Sequence, residues 1–152
     1  MIVHITQSVV DVWNKFKQYR ANSTEACGIL IGHYDMDCTR IWINNVTVPM
    51  KADIRKKTYF FLKDNGHQKI LNSIFKSSGN KLLLLGTWHT HPEKSPTPSM
   101  YGEVNDVAEW KKIIASNKAI PDFCFAIVGT QENSIYIRYQ NKFERLNRIV
   151  KV

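Results

Sequence analysis

Lys81 to Thr90 reads KLLLLGTWHT, a strand-length segment with almost nothing polar in its first half. A strand of this kind has no face to offer water and must be covered on both sides, which points to a sheet with helices packed over it. It stops at a loop, His91 to Pro98, stiffened by Pro92, Pro96 and Pro98.

The surrounding segments supply the other layers. Ile2 to Ile5 has strand character. Ser8 can cap a helix over Val9 to Tyr19, where Val9, Val12, Trp13, Phe16 and Tyr19 recur at helical spacing. Ala26 to Gly32 is apolar and reads as a buried strand. Ile41 to Val48 is rich in β-branched residues and ends at Pro49, so it predicts another. After the basic connection Lys51 to Lys57, Tyr59 to Leu62 is a short extended segment. Asp64 to Phe75 predicts a second helix, with Ile70, Leu71, Ile74 and Phe75 on one face and His67 structural or facing solvent. Asp106 to Ser116 predicts a third, with Val107, Trp110, Ile113 and Ile114 inward. Phe123 to Val128 and Ser134 to Tyr139 are strands about a glycine-containing turn. The expected order is β-α-β-β-(β)-α-β-α-β-β, an α/β fold with a mixed sheet flanked by helices, in one domain over residues 1–152.

With 43% hydrophobic and 22% charged residues, the chain falls outside the disordered class. No apolar run approaches the ~20 residues needed to span a bilayer, so no membrane partner is expected. Met1 to Thr6 lacks the basic and apolar regions of a signal peptide, so a cytoplasmic location is the expectation. Cys27, Cys38 and Cys124 are an odd count without C-x-x-C spacing, which argues against a disulfide framework or a cysteine zinc site. The net charge of +8 permits an acidic partner. The basic residues are nonetheless scattered, with no aromatic-interleaved motif, and nucleic acid is not the expected partner.

Two of the chain's five histidines, His89 and His91, fall two apart at the end of the apolar strand. Side chains two apart on a strand share a face, so both imidazoles can reach one metal ion. A catalytic zinc commonly takes three protein ligands and keeps one position open.

The run His89-Thr90-His91-Pro92, then a proline-containing loop, then Pro98-Ser99 and an acidic residue, resembles the metal signature of the JAB/MPN (JAMM) zinc isopeptidase family. A second family motif, a glutamate just before a glycine-containing apolar strand, is matched by Glu25-Ala26-Cys27-Gly28-Ile29-Leu30-Ile31-Gly32. Phe60-Phe61, Gly66-His67-Gln68, Gly86 to Pro92 and Trp110 are similar to the bacterial branch found with ubiquitin-like conjugation and anti-phage signalling operons. The resemblance spans Glu25 to Val128 and implies a JAB/MPN (cytidine-deaminase-like) fold.

It also implies a chemistry. One Zn2+ per chain would be held by His89, His91 and a carboxylate. Glu25 would be the general base toward a zinc-activated water and would pass the proton to the leaving amine, and Ser99 would donate to the developing oxyanion. The bond cut would join the C-terminus of a ubiquitin-like or similarly conjugated protein to its target or extension, and activating or conjugating enzymes encoded nearby would be partners. The chain departs from the pattern where the family places its metal-binding aspartate, three residues after the motif serine. Gly102 stands there. Asp106 is the favoured third ligand, because the branch that this chain resembles has a tryptophan four residues after its aspartate, as Trp110 is here, and because Asp106 opens a helix that Asn105 can cap. Glu103 is the alternative. Two other readings stay open: a catalytically inactive scaffold of the same family, and a hydrolase of a small amide on a carrier protein.

Overall fold

The computed structural model describes every residue except 119, 121 and 140. Its elements, in chain order, are β1 (Ile2–Ile5), α1 (Gln7–Phe16), β2 (Cys27–Tyr34), β3 (Arg40–Val46), β4 (Ile54–Arg55), β5 (Phe60–Phe61), α2 (Gly66–Ser77), β6 (Leu83–Thr90), α3 (Asp106–Ser116), β7 (Cys124–Val128), β8 (Asn133–Tyr139), β9 (Lys142–Arg145) and β10 (Ile149–Lys151). Eight strands form one mixed sheet in the order β10-β1-β3-β2-β6-β7-β8-β9, and β4 with β5 forms a separate two-stranded hairpin. β6 lies near the middle, as its composition requires.

The sheet is strongly curled. β9 and β10 occupy opposite edges, yet only residues 146–148 separate them. Four residue steps reach at most about 14 Å, whereas eight flat strands would set the edges roughly 33 Å apart. The link is anchored on both sides: Leu146 N donates to Ile135 O at 2.8 Å and Val3 N donates to Arg148 O at 2.9 Å.

Helix α1 fills the inside of the curl. Its Val9, Val10 and Trp13 pack with Val3 and Ile5, Ile41 and Ile43, Leu30, and Cys124, Ala126 and Val128. The alternate residues of β7, Phe125 and Ile127, point outward to a second core built on Trp110 of α3 and Tyr136. A strand covered on both faces carries no polar residue, which accounts for Cys-Phe-Ala-Ile-Val in β7. The stacked Trp110 and Phe125 rings, 4.6 Å apart, tie α3 to the sheet.

Several boundaries differ from the sequence expectation. Helix α1 begins two residues earlier, with Thr6 rather than Ser8 at its N-cap, and ends at Phe16. Lys17 is extended, and the chain turns so that Gln18 is buried and Tyr19 is 70% exposed. Helix α2 is shifted toward Ser77, and its buried residue is His67, while Ile70 is substantially exposed. Strand β4 falls in the segment read as a basic connection, and β9 and β10 lie beyond the last expected strand.

Candidate metal and proton-transfer site

The register of β6 decides what its end presents. Leu30 pairs with Gly86 but Ile31 pairs with Leu84, so β6 carries one extra residue at this point. The bulge reverses the alternation: Leu85 and Trp88 both lie in the inner core, while His89 emerges on the outer side beside the rings of Phe60 and Trp110. Gly86 is required there, because a Cβ would collide with the Cys124 carbonyl on the neighbouring strand.

His89 is fully buried and His91 is nearly so. Their Nε2 atoms are 3.1 Å apart. Asp106, the first residue of α3, meets both: Oδ1 lies 3.1 Å from His89 Nε2 and Oδ2 lies 3.2 Å from His91 Nε2. The helix starts where it does because Asn105 is extended and its side chain accepts from Ala108 N. Two further bonds lock Asp106 in place. Ser99 N donates to Asp106 Oδ2 at 2.8 Å, and Ser99 Oγ accepts from Asp106 N at 2.9 Å. The Ser99 hydroxyl hydrogen therefore remains free for another acceptor. Glu103 is exposed on the intervening loop and lies outside this group.

Glu25 arrives from the neighbouring strand. Cys27 pairs with His89 in an antiparallel register, so two residues back along one strand and two on along the other bring Glu25 to His91. Glu25 Oε1 is 3.8 Å from His91 Nε2, and Oε2 is buried without a hydrogen-bond partner. Burial pushes the Glu25 carboxyl up to about 8 against the pull of His91, with Asp106 and Glu93 adding to the rise. For Asp106, burial works the same way but is overwhelmed by the two histidines, which hold it well below the carboxylate range. Burial also lowers His89. It would lower His91, but hydrogen bonding and charge attraction from Asp106 outweigh it and raise that group.

Two imidazole Nε2 atoms and a carboxylate, all buried, converge with ligand atoms within 4.8 Å of one another. Three converging N, N and O donors fit zinc with one open position. Glu25 Oε2 is buried without a hydrogen-bond partner, on the side chain whose Oε1 lies 3.8 Å from His91 Nε2. The residues present thus fit the metal that the resemblance implies.

Some contributors carried no sequence signal. Thr90, between the two histidines, donates to the buried Gln18 Oε1 at 2.8 Å and accepts from Ala26 N at 2.9 Å, which fastens the end of β6 to the segment that carries Glu25. Glu93 Oε2 lies 3.3 Å from His91 Nδ1. Beside Asp106 a cavity of about 330 Å³ opens between β5 and α3, lined by Tyr59, Phe60, Leu84, Val104, Trp110 and Ile113.

Comparison with known proteins places the chain in a family. An isopeptidase from Escherichia coli, named CD-NTase/cGAS isopeptidase, is 31% identical over 96% of this chain and 88% of its own length. A protein of the same name from Pseudomonas aeruginosa is 30% identical over 90% of this chain and 81% of its own. The 26S proteasome regulatory subunit rpn-8 of Neurospora crassa is 29% identical over 57% of this chain and 24% of its own length. A solution structure of a Desulfitobacterium hafniense protein superposes with a TM-score of 0.64 at 20% identity, covering 99% of this chain and 93% of that one, and so shares the fold. The profile described as prokaryotic homologs of the JAB domain matches residues 16–141, and with most of its length covered the chain belongs to that JAB-domain family.

Proposed function

We propose that this protein is a zinc-dependent isopeptidase that releases a conjugated protein by cutting the amide between that protein's C-terminus and a lysine or a linear extension. Residues 1–152 act as one catalytic domain, in the cytoplasm. The observation that carries the reading is the buried convergence of His89, His91 and Asp106 with Glu25 directly behind them. The names of the Escherichia coli and Pseudomonas aeruginosa relatives support a conjugated protein as the substrate class.

His89, His91 and Asp106 would hold the ion. When bound, it supplies Lewis acidity that makes water a competent nucleophile near neutral pH. Glu25 takes a proton and delivers it to the leaving amine, and its Oε2 has no competing partner. The free hydrogen of Ser99 Oγ donates to the oxygen on which negative charge develops. An extended substrate tail lies along β5, where main-chain pairing holds a flexible segment, with the cavity between β5 and α3 taking one of its side chains.

Elemental analysis of the purified protein, combined with a cleavage assay on a synthetic isopeptide, tests this. One zinc per chain and measurable turnover are expected. Glu25→Gln should keep the zinc and lose about 10²- to 10⁴-fold in kcat, the range for removal of a general base. A protein that is metal-free at neutral pH and inert would overturn the reading. The alternative is a non-catalytic scaffold, in keeping with the words "regulatory subunit" in the name of the Neurospora crassa relative. In that case Glu25→Gln would have no activity to remove and partner binding would be unchanged.

A further inference from the structure

Residues 50–64 form a flap over the site, with the β4–β5 hairpin in its middle and the Phe60 ring 4.9 Å from that of His89. One carboxylate closes both feet of this flap. Asp53 Oδ2 accepts from Met50 N at 2.9 Å, and Oδ1 accepts from Lys63 N and Asp64 N at 2.9 and 3.0 Å. Asp64 returns the contact, accepting from Ala52 N at 2.9 Å. The Asp53 side chain is fully buried, and the flap is joined to the body of the protein through one more bond, from His67 Nε2 at 2.7 Å.

His67 is itself anchored. Its Nδ1 lies 2.6 Å from Thr47 Oγ1, which also accepts from Ile29 N at 2.9 Å on β2. With Nε2–H donating to the Asp53 carboxylate, Nδ1 is left to accept the Thr47 hydroxyl hydrogen, so every polar atom in the chain of contacts has its complement. The same threonine's carbonyl accepts from Trp88 Nε1 at 2.9 Å, next to the ligand strand's first histidine.

The far end of the flap holds Glu25. Arg55 Nε donates to Glu25 O at 2.7 Å, and Glu25 N donates to Lys56 O, also at 2.7 Å. Both backbone groups of the proton carrier thus rest on two consecutive flap residues. Its Oε2 has no hydrogen-bond partner, so the backbone grip has a large share in setting where the carboxyl points.

We propose that His67 is a positioning residue: the buried Thr47–His67–Asp53 clasp fixes the flap, and through Arg55 and Lys56 the flap aims Glu25 at the site. This rests on the reading of Glu25 as the proton carrier, but its structural half can be measured without turnover. His67→Leu removes both polar bonds at similar bulk. His67→Gln can rebuild them, since an amide places an acceptor and a donor at similar spacing. Arg55→Met cuts the link at the other end and leaves the clasp intact.

The experiment compares these three variants with the parent protein for zinc content, melting temperature, kcat and KM on a synthetic isopeptide, and backbone amide exchange. His67→Leu should keep its zinc, lower kcat at least tenfold with KM changed less than threefold, and speed exchange at the Glu25, Met50 and Lys63 amides while β7 stays protected. His67→Gln should recover most of kcat. Arg55→Met should lower kcat without exposing the Met50 and Lys63 amides. Unchanged Glu25 exchange in His67→Leu would overturn the clasp, as would a loss that tracks zinc content or KM alone. If His67→Leu does not fold, Arg55→Met with parental kcat overturns the proposal by itself. A parent protein that holds no zinc and cuts nothing would instead defeat the proposed function, while the exchange data would still decide the clasp.

Discussion

Asp106 is held by its own helix, by Ser99 and by two histidines at once. Its carboxylate is oriented before any ion arrives, so little side-chain freedom remains to be lost on binding. Glu103, exposed on the loop, has none of these supports. Asp106→Ala should therefore abolish zinc retention through gel filtration, while Glu103→Ala should leave one zinc per chain, as read by elemental analysis. The reverse pattern would move the third ligand to Glu103. Sequence reasoning could reach Asp106 because helix capping is a local property and because the resembled branch carries the same spacing to a tryptophan. It could not reach Gln18, Arg55 or the clasp at His67. Their partners lie 72, 30 and 20 residues away in the chain, and a lone polar residue carries no mark of a distant partner.

At the scale of elements, the histidine strand β6 and helix α3 are coupled through Trp110. It is almost fully buried and contacts the rings of Phe125, Tyr136 and Phe143, and its own ring lies 6.5 Å from that of His89. Trp110→Ala should cost about 3–5 kcal/mol in urea denaturation. Because α3 begins at Asp106, the same variant should also weaken zinc binding. A loss below ~1 kcal/mol would show that α3 is held by other contacts. Strongly periodic segments such as β6, β7 and α3 were legible in the sequence, since each needs a covered face. The aromatic run at β5 also marked an extended segment, but the other weak elements were not legible. β4 is two residues long, too short for any period to show. β9 and β10 are stabilised by partners at opposite edges of the sheet rather than by their own composition.

For the whole molecule, the decisive fact is that a curled sheet brings distant segments to one place, and the flap is then fastened across it. The fastening carries a pH signature. Burial would raise the Asp53 carboxyl, but amide bonds from Asp64, Met50 and Lys63 and the contact with His67 outweigh it, so its folded-state pKa lies below the ordinary value. A depressed carboxyl stabilises the fold fully above its unfolded value, about 3.9. That stability is lost as pH falls through the folded value. Thermal melts should accordingly decline on acidification below about pH 4, and Asp53→Asn should start lower and show a shallower acid limb. An unchanged acid limb in the asparagine variant would assign the decline to other carboxylates.

Taken by itself, the sequence determined the family, the α/β class, the pair of histidines on one strand face and the candidate acid at a helix start. The family rests on the resemblance of its motifs, and the others on residue type and short-range spacing, because side-chain alternation and helix capping act over two to four residues. Only the tertiary structure decided which side of β6 those histidines take, since a single extra residue at the bulge reverses every side chain beyond it. It alone set Glu25 against His91, through an antiparallel register between segments some 60 residues apart. It alone showed that the flap is clasped by Asp53 and His67. Hydrogen bonds between such distant residues depend on where the sheet curls, and no local pattern records that.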